Sequence, residues 1–380
     1  MIYLAFPLGT IHGWGVCGRM ITRELSRLSP VELYTQELQR ELVVDELEYR
    51  QLCSLLPAGV DPMKPPPGHP VEGPVLRGIP AMKISFRPAL RGPFNVGYTF
   101  FEEAVPRDTI FGEFDHLVAG STWCADALRA AGFKSVSVIL QGIEPQHFNP
   151  TLSEKEFFRD RFVIFSGGKL EFRKGQDLVI RAFQILQQRH KDVMLINAWF
   201  NLWSWNASTI SFSKHIQVPN LSGDHVNVVN QLMAHNGIDL SGVITLGARA
   251  NPLMADVYKN TDVGLFPNRC EGGTNLVMME YMACGKPVIG SYTTGQKDIL
   301  TDENSLPLRT SHTVPVLDDQ RNIVGEWSEP DVEEIVEKLE WAYQNRDALK
   351  SLATRGGEDL SKLTWAQTAR QFYELLNRAS

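Results

Sequence analysis

Two glutamates in the second half of the chain occupy positions where simple packing would not place a charge. Glu280 lies inside a run of apolar residues that Asn275 begins as a candidate helix N-cap and Gly285 ends. Because the run is apolar nearly all round, the helix is predicted to be buried, and a buried carboxylate is costly unless it is hydrogen-bonded. A vicinal diol of a sugar or a ribose would supply such bonds. The alternative is a structural glutamate paired with an arginine or a backbone amide.

The second glutamate, Glu271, stands directly before a pair of glycines. The backbone amides of Gly272, Gly273 and Thr274 lie beside the predicted N-terminus of the Asn275 helix. Amides at a helix N-terminus form a ready anion site. This segment therefore predicts two hydroxyl-binding carboxylates around a phosphate-binding loop.

A second candidate site is the segment FSGGKLEFRKGQDL at residues 165–178, which follows a predicted strand and opens a helix. Gly167 and Gly168 permit a tight turn and close approach of a ligand to the backbone. Lys169 and Lys174 would bring two ammonium groups to the helix N-terminus, where they suit a diphosphate and stabilise charge on a leaving group. The alternative is a strand-turn-helix junction with surface lysines.

Near the N-terminus, Gly13, Gly15 and Gly18 spell the pattern G-x-G-x-x-G. In a dinucleotide-binding domain the strand runs straight into the first glycine, whereas here residues 7–12 intervene and lengthen the loop. The spacing therefore favours a loop that faces a cleft, with Gly15 close to the phosphates of a donor. An NAD-dependent dehydrogenase or epimerase built on these glycines is the rival interpretation.

Candidate acceptor residues lie in the first half of the chain. Glu102 and Glu103 end the predicted strand 96–101, at the edge where α/β sheets bind ligands. They either contact an acceptor or solvate the end of the strand, and the sequence leaves both open. His12 and His116 are further candidates for the cleft, although a lone histidine is more often structural.

The amino-acid composition excludes several classes of protein. The chain has 380 residues, 43% hydrophobic and 21% charged, which is an ordinary globular mixture long enough for two domains. A net charge of −7 disfavours broad nucleic-acid binding. The five cysteines are scattered without a C-x-x-C pair, and no histidine spacing indicates zinc, so no metal or other cofactor is predicted. Asp318 and Asp319 are interpreted as a solvated pair in a polar loop.

The same composition bears on location. No run approaches 18 apolar residues, the N-terminus reads as a strand and not a signal peptide, and the cysteine usage favours a reducing compartment, so a cytoplasmic location is expected. Arg19, Arg23 and Arg27 recur at helical spacing. We expect a solvated helix face there, with peripheral membrane contact as the alternative.

Short apolar runs alternate with helical periods, which predicts parallel sheets covered by helices in two α/β halves joined near residues 145–160. Residues 57–79, rich in proline and glycine, are predicted to form a surface loop. Residues 332–356 and 364–378 are expected to be surface helices. Residues 198–240 are aromatic and polar without clear periodicity, and they indicate an insertion at the rim of a cleft.

These motifs together resemble the retaining GT-B glycosyltransferases of the family 4 type, the glycosyl transferases group 1. The resemblance rests on the glutamate segment, on the Gly-Lys segment, and on the stretches AGSTWCADALRAAGFKSVSVILQGIEPQHF and LGARANPLMADVYKNTDVGLFPNRCEGG. It covers residues 115–180 and 243–300 well and residues 1–110 loosely. Eight residues separate the two glutamates where the family has seven, and Lys169 stands where the family has an arginine, which loses bidentate binding.

The resemblance implies an architecture of two Rossmann-like domains facing across a cleft. Residues 1–155 would form the acceptor-side domain and residues 156–363 the donor-binding domain, with a C-terminal helix at 364–380 packing back on the first. It also implies that no metal is required.

The implied activity is transfer of a hexosyl group from a UDP- or GDP-sugar to an acceptor hydroxyl with retention of configuration. Glu271 would bind donor-sugar hydroxyls and Glu280 the ribose diol, while Lys169 and Lys174 neutralise the leaving diphosphate. The donor-binding set is Gly15, Gly168, Gly272, Gly273, Thr274, Asn275 and Glu280. The acceptor would be a glycan, a lipid-linked sugar or a small molecule, and a non-catalytic nucleotide-sugar-binding protein is the second rival.

Overall fold

The computed structural model describes residues 1–43, 45–64, 68–80, 86–102, 110–317, 320 and 322–378. Two six-stranded parallel sheets form the centres of two Rossmann-like domains, and a two-stranded antiparallel hairpin is attached to the second. This confirms the α/β architecture that the alternation of apolar runs and helical periods predicts.

The first domain is built on a parallel sheet with helices packed against it. Its strands are β1 (Ile2–Ala5), β2 (Val31–Leu33), β3 (Val75–Pro80), β4 (Asn95–Phe100), β5 (His116–Ala119) and β6 (Val136–Val138). Its helices are α1 (Gly13–Ser26), α2 (Glu46–Ser54) and α3 (Thr122–Ala130). The spatial order of the strands is β2-β1-β3-β4-β5-β6.

The second domain repeats this plan. Its sheet strands are β7 (Phe162–Gly167), β8 (Val193–Ala198), β9 (Val243–Thr245), β10 (Val263–Phe266), β11 (Val288–Ser291) and β12 (Leu306–Leu308). The hairpin strands are β13 (Ser311–Leu317) and β14 (Ile323–Pro330). The helices are α4 (Gln176–Arg189), α5 (Ser204–Ala207), α6 (His225–His235), α7 (Met254–Lys259), α8 (Leu276–Ala283), α9 (Val332–Gln344), α10 (Arg346–Ser361) and α11 (Trp365–Asn377).

The spatial order of the second sheet is β12-β11-β10-β7-β8-β9. From β7 the chain first adds strands on one side of the sheet and then, from β10, on the other, so the switch point lies between β7 and β10. The first sheet reverses between β1 and β3. Open α/β sheets bind ligands at such switch points, outside the carboxyl ends of the strands. The segments that follow β1, β4, β7 and β10 contain most of the candidate residues, and residues from all four line one cavity between the domains.

The chain crosses from the first sheet to the second between Val138 and Phe162. The predicted domain boundary between residues 155 and 156 falls in this connection and stays a prediction. Helix α11 returns to the first domain, as expected. Thr368 Oγ1 donates a hydrogen bond to the carbonyl of Leu140 over 2.9 Å, and the ring of Phe372 lies 5.1 Å from that of Tyr98.

The domains also touch beside the cavity, where the backbones approach too closely for side chains. A Cβ atom added to Gly272 would lie 2.1 Å from the carbonyl oxygen of Phe101. Ser121 Oγ donates to the carbonyl of Gly272 over 2.6 Å, and the N–H of Thr122 donates to Asp298 Oδ2 over 2.6 Å. Glycine at position 272 is therefore required for the contact between the domains.

Two expectations for local structure were wrong. The loop predicted at 57–79 contains the start of β3, a buried strand paired with β1 and β4. Its proline and glycine obscured a run that packs on both faces. The single helix expected at 332–356 is two helices, separated at Asn345. The segment 198–240, expected at the rim of a cleft, includes α5 and α6, and its residues Phe200, Leu202 and Trp203 line the cavity between the domains.

The arginines on α1 are not a solvated face. Arg19 is 2% exposed, and its Nη1 donates to both carboxylate oxygens of Glu48, at 2.9 and 2.7 Å. Arg23 donates to Glu144, and Arg27 is the exposed member of the three. The predicted solvated helix face and its alternative, peripheral membrane contact, are therefore both wrong for Arg19 and Arg23. Among the described residues, no helix combines the length and apolar character needed to cross a bilayer.

The docking of α11 yields a stability prediction. Phe372 is fully buried between α11 and the first domain, so Phe372→Ala should reduce the free energy of unfolding by roughly 3–5 kcal/mol. Denaturant titration followed by circular dichroism measures this change. Phe157, which is 62% exposed, provides the control, because its replacement by alanine should stay within about 0.5 kcal/mol of the parent. Equal effects of the two substitutions would contradict the proposed docking.

Candidate donor site in the interdomain cleft

A cavity of about 350 Å³ lies between the two domains, a size typical of small-molecule sites. The predicted residues that line it are His12, Glu102, Gly168, Lys169, Lys174, Glu271, Gly273, Asn275 and Glu280. Residues from both halves of the chain thus line one cavity, although they are far apart in the sequence.

Helix α8 presents Glu280 to this cavity. Asn275 caps the helix in the left-handed conformation, with φ of 62°, and its side chain accepts from the N–H of Met278 over 3.3 Å. Glu280 is 2% exposed, and its Oε1 accepts from Asn251 Nδ2 over 2.7 Å. Burial raises the pKa of Glu280 to about 8, which the bond from Asn251 only partly offsets. A carboxyl group that is protonated near neutral pH can both donate to and accept from a diol.

Asn251 was not identified from the sequence. Its backbone N–H donates to the carbonyl of Thr10 over 2.7 Å, while its side chain holds Glu280. One residue therefore connects the loop after β1 in the first domain to the buried glutamate of the second. The Asn251-Pro252 pair signals a turn, but no local feature reveals a partner far away along the chain.

Glu271 is held by three side chains. Its Oε1 accepts from Lys174 Nζ and from Asn268 Nδ2, both over 2.5 Å, and its Oε2 accepts from Arg173 Nη1 over 3.3 Å. The N–H of Glu271 donates to Thr294 Oγ1 over 2.8 Å. The carboxylate is consequently fixed in orientation within the cavity wall.

The two predicted cations are both present in the cavity. Lys174 ends a 3-10 turn and precedes Gly175, whose φ of 73° and contact with Pro267 require glycine. Burial lowers the pKa of Lys174, and the neighbouring Glu271 opposes that shift. Lys169 is partly exposed and lies 3.1 Å from Glu171.

Arg173 and Arg249 are further cations that line the cavity, and both were missed in the sequence. Arg173 belongs to the cluster around Glu271. It ion-pairs with Glu171, lies 3.3 Å from Glu271 and 3.5 Å from Glu102, and donates to the carbonyl of Cys270 over 2.8 Å. Burial works against its charge, but these carboxylates raise the pKa of Arg173 well above its usual value. A guanidinium is therefore present beside the cavity, although the position that the family pattern predicts holds Lys169.

Glu102 reaches this cluster from the first domain. Burial raises its pKa, Arg173 opposes the shift, and Glu271 adds to it. Its carbonyl accepts from Trp327 Nε1 of the hairpin over 2.5 Å, so both backbone and side chain connect the domains. Glu103 lies outside the described residues.

His12 is the N-cap of α1, and its Nδ1 accepts from the N–H of Gly15 over 3.0 Å. Burial, with a further contribution from Lys169, lowers the pKa of His12. The ring is therefore neutral at pH 7 and carries its proton on Nε2, because Nδ1 serves as an acceptor.

Several predicted residues do not line the cavity. Gly15 lies behind His12, to which its amide is bonded, so this amide is not offered to a diphosphate. Gly272 faces Phe101, and Thr274 is buried with its hydroxyl against Met279. His116 bonds to Ser135 and Ser137 at the edge of the first sheet. Asp318 and Asp319 lie outside the described residues.

A further cluster has the spacing of a metal site but a different explanation. Asp177, His215 and Glu329 offer ligand atoms within 4.8 Å of one another. Arg269 bonds to both Oδ atoms of Asp177, at 2.8 and 2.7 Å, and to Glu329 over 2.7 Å. The guanidinium supplies the positive charge that a metal would supply, so the cluster is an ion-pair network that fixes the hairpin to α4.

Comparisons with known proteins show which proteins this chain resembles in sequence and in fold. Residues 221–344 match the sequence model of the family described as Glycosyl transferases group 1. The uncharacterized glycosyltransferase MJ1607 of Methanocaldococcus jannaschii is 28% identical over 177 residues, which cover 44% of this chain and 39% of that protein. The match thus spans less than half of that relative's length.

Solved structures show the fold along the whole chain. A glycosyltransferase from Rickettsia africae superposes with a TM-score of 0.66 at 12% identity, covering 100% of this chain and 98% of that one. Alr3699/HepE of Anabaena, solved with UDP and glucose, superposes with a TM-score of 0.63 at 14% identity, covering 99% of each chain. The chain therefore has the GT-B fold, and its segment 221–344 is similar in sequence to group 1 glycosyl transferases.

The buried carboxyl of Glu280 predicts a pH dependence of stability. Its pKa of about 8 exceeds the unfolded value, so the folded state keeps a proton that the unfolded chain loses, and stability falls as pH rises from about 4.5 to 8. At about 1.4 kcal/mol per pKa unit, the loss is on the order of a few kcal/mol. The uncharged side chain of Glu280→Gln should remove this fall in the free energy of unfolding.

Urea titrations at pH 5, 7 and 9 test this expectation. Glu337→Gln, on the exposed face of α9, serves as the control and should follow the parent protein at each pH. Parallel curves for the parent and Glu280→Gln would show that Glu280 is ionised in the folded state.

Proposed function

We propose that the protein transfers a hexosyl group from a nucleotide diphosphate sugar, UDP- or GDP-linked, to an acceptor hydroxyl with retention of configuration. The observation that carries this proposal is the convergence of Lys169, Lys174, Glu271 and Glu280 on one cavity at the switch point of the second sheet. The likeness in fold to Alr3699/HepE, solved with UDP and glucose, supports a sugar nucleotide as the donor.

The donor would extend across the second domain. Glu280 would bind the ribose diol, and Lys169, Lys174 and the amide of Gly273 would bind the diphosphate. Of the predicted loop amides, that of Gly273 belongs to a residue lining the cavity, whereas Gly272 is committed to the contact between the domains. Glu271, fixed by Lys174, Asn268 and Arg173, would receive hydroxyls of the donor sugar.

The chemistry requires stabilisation of the leaving group more than a nucleophile. As the bond from the sugar to the diphosphate breaks, negative charge grows on the phosphate oxygens, and Lys169 and Lys174 are placed to stabilise it. The departing phosphate would accept the acceptor proton on the same face. Arg173, which is committed to three carboxylates, acts as a positioning residue that orients Glu271. Because side chains supply the positive charge, we propose that no metal ion takes part.

Closure of the domains would limit hydrolysis of the donor. Gly272 against Phe101 and Asn251 against Thr10 bring the two domains into direct backbone contact beside the cavity. Excluding water from such a site both protects the reactive sugar and strengthens the electrostatic interactions inside.

Loss of Glu280 should weaken donor binding. In Glu280→Ala the ribose diol loses its partner, so the dissociation constant of the preferred sugar nucleotide should rise at least about tenfold, equivalent to roughly 1.4 kcal/mol. Isothermal titration calorimetry measures this constant after a thermal-shift panel of nucleotide diphosphates has identified the base. Glu337→Ala is the matched control on the surface. Unchanged affinity in a folded Glu280→Ala protein would remove Glu280 from the donor site.

Loss of Lys174 should affect turnover more than binding. Lys174→Met keeps the apolar stem but removes the ammonium, and it should lower kcat by about 10²- to 10³-fold, because leaving-group charge develops mainly in the transition state. Release of nucleoside diphosphate, measured with and without an acceptor, reports kcat and KM. Lys191→Met, at an exposed position, is the control. A change in KM alone would assign Lys174 to ground-state binding.

The same assay decides between an enzyme and a binding protein. A nucleotide sugar that raises the melting temperature but is neither transferred nor hydrolysed would favour the non-catalytic alternative. Slow release of free sugar without any acceptor would establish that the site activates the donor.

A further inference from the structure

The cavity has a second wall, which the proposed donor chemistry does not use. We call it the aromatic wall. It consists of Trp14, Pro80 and Phe100 from the first domain and Phe200, Leu202 and Trp203 from the second. These side chains face the same space as the charged cluster but differ from it in chemistry.

The first-domain part of the aromatic wall is a rigid platform. The rings of Trp14 and Phe100 are stacked, with centroids 4.1 Å apart and planes inclined by 15°. Tyr98 packs edge-on against both, at 6.1 and 5.7 Å, and is itself fully buried. Trp14 and Phe100 remain partly exposed. The platform is thus supported from behind and open toward the cavity that it lines.

The second-domain part comes from the segment after β8 that the sequence left unexplained. Trp199 anchors this segment through Nε1, which donates to Ser166 Oγ over 3.1 Å, and Asn201 Nδ2 donates to the carbonyl of Leu170 over 2.8 Å. Leu202 and Trp203 nevertheless stay 50% and 39% exposed. Large apolar side chains exposed beside a cavity, on an anchored backbone, are typical of a binding surface.

The aromatic wall meets the charged cluster at His12. The ring of Trp203 lies 5.8 Å from that of His12 and 5.4 Å from Lys169 Nζ. The neutral His12 carries its proton on Nε2, as derived above. A hydrogen-bond donor for a hydroxyl oxygen, Nε2–H of His12, thus lies where the two halves of the cavity join.

The charges around the cavity disfavour a phosphorylated ligand on this wall. Among the described first-domain residues that line the cavity, the ionisable side chains are the neutral His12 and Glu102, and neither is a cation. Of the second-domain cations that line the cavity, Lys169, Arg173 and Lys174 are paired with carboxylates, whereas Arg249 lies in the loop of Asn251 and donates from Nε to the carbonyl of Leu253 over 3.2 Å. A second anion on the first-domain part of the aromatic wall would therefore meet no cation from that domain.

We propose that the aromatic wall is the acceptor subsite and that it takes a neutral acceptor with an apolar ring face beside the reacting hydroxyl. The proposal rests on the proposed function. Aromatic faces carry partial negative charge, which attracts the C–H groups of a sugar ring or the edge of an aromatic aglycone. In the transfer, the bond from sugar C1 to the diphosphate oxygen breaks, the bond from C1 to the acceptor oxygen forms, and the acceptor proton passes to the diphosphate.

Two substitutions test this subsite. Trp203→Ala removes a partly exposed ring without opening the core, and Trp14→Leu removes the platform while keeping an apolar side chain. Trp341→Ala is a matched control, because Trp341 on α9 is also 39% exposed, as Trp203 is, and does not line the cavity. Each variant is measured with the nucleoside diphosphate that the thermal-shift panel identifies.

The probes are 4-nitrophenyl hexosides, free disaccharides and farnesyl phosphate, added to protein saturated with that diphosphate. Saturation-transfer NMR and competition give their dissociation constants. We expect at least one neutral class to bind and Trp14→Leu and Trp203→Ala to weaken it about tenfold, while Trp341→Ala and the diphosphate affinity change less than twofold. Saturation of nitrophenyl or of sugar-ring protons shows which ring the wall contacts.

The opposing outcomes are distinct. Binding of farnesyl phosphate alone, or of no neutral probe, overturns the proposal, as does a tenfold loss of diphosphate affinity in Trp14→Leu, which would assign the wall to the nucleobase. Failure of every nucleoside diphosphate to bind the parent protein would instead refute the proposed function.

Discussion

The structure of the site depends on keeping cations charged inside a closed cleft. Three cations and three carboxylates meet there: Lys169, Arg173, Lys174, Glu102, Glu171 and Glu271. An isolated buried charge costs several kcal/mol, whereas paired and hydrogen-bonded charges can be retained. The carboxylates therefore stabilise the charged form of the three cations inside the cavity. Since Glu102 belongs to the first domain, the cluster is complete only when the domains are together, which connects closure to the charge that a diphosphate would meet.

The Rossmann topology explains why these side chains converge. The loops after β7 and β10 diverge at a switch point, and the loop after β1 approaches from the first domain. A crevice opens there without any loss of packing in either core. Asn251 connects the two sides, because its backbone N–H donates to the carbonyl of Thr10 and its side-chain Nδ2 donates to Glu280. The buried helix α8 is hence aligned by the first domain as well as by its own cap.

Local patterns predicted what local physics determines. The N-cap at Asn275, the end of α8 before Gly285 and the burial of Glu280 followed from residue types within a few turns. Residues whose role depends on distant partners were not predictable in this way. In the sequence Arg173 is indistinguishable from a surface cation, because two of its three carboxylate partners are contributed by other segments of the fold. The spacing of Arg19 indicates a solvated helix face, because its partner Glu48 lies on a different helix. Strand β3 was missed because its proline and glycine outweighed its apolar character.

The balance of charges also constrains the chemistry of the second substrate. Lys169, Arg173 and Lys174 are offset by three carboxylates, so a bound diphosphate would make this charged cluster negative and weaken binding of a further anion beside it. A neutral acceptor avoids that repulsion and must gain its affinity from apolar contact and hydrogen bonds. In the proposed subsite, Trp14, Phe100 and Trp203 would supply the apolar contact, and His12 would donate a hydrogen bond at the edge of the aromatic wall. The separation of the cavity into a charged half and an aromatic half is thus consistent with the proposal that an anionic donor and a neutral acceptor would bind side by side.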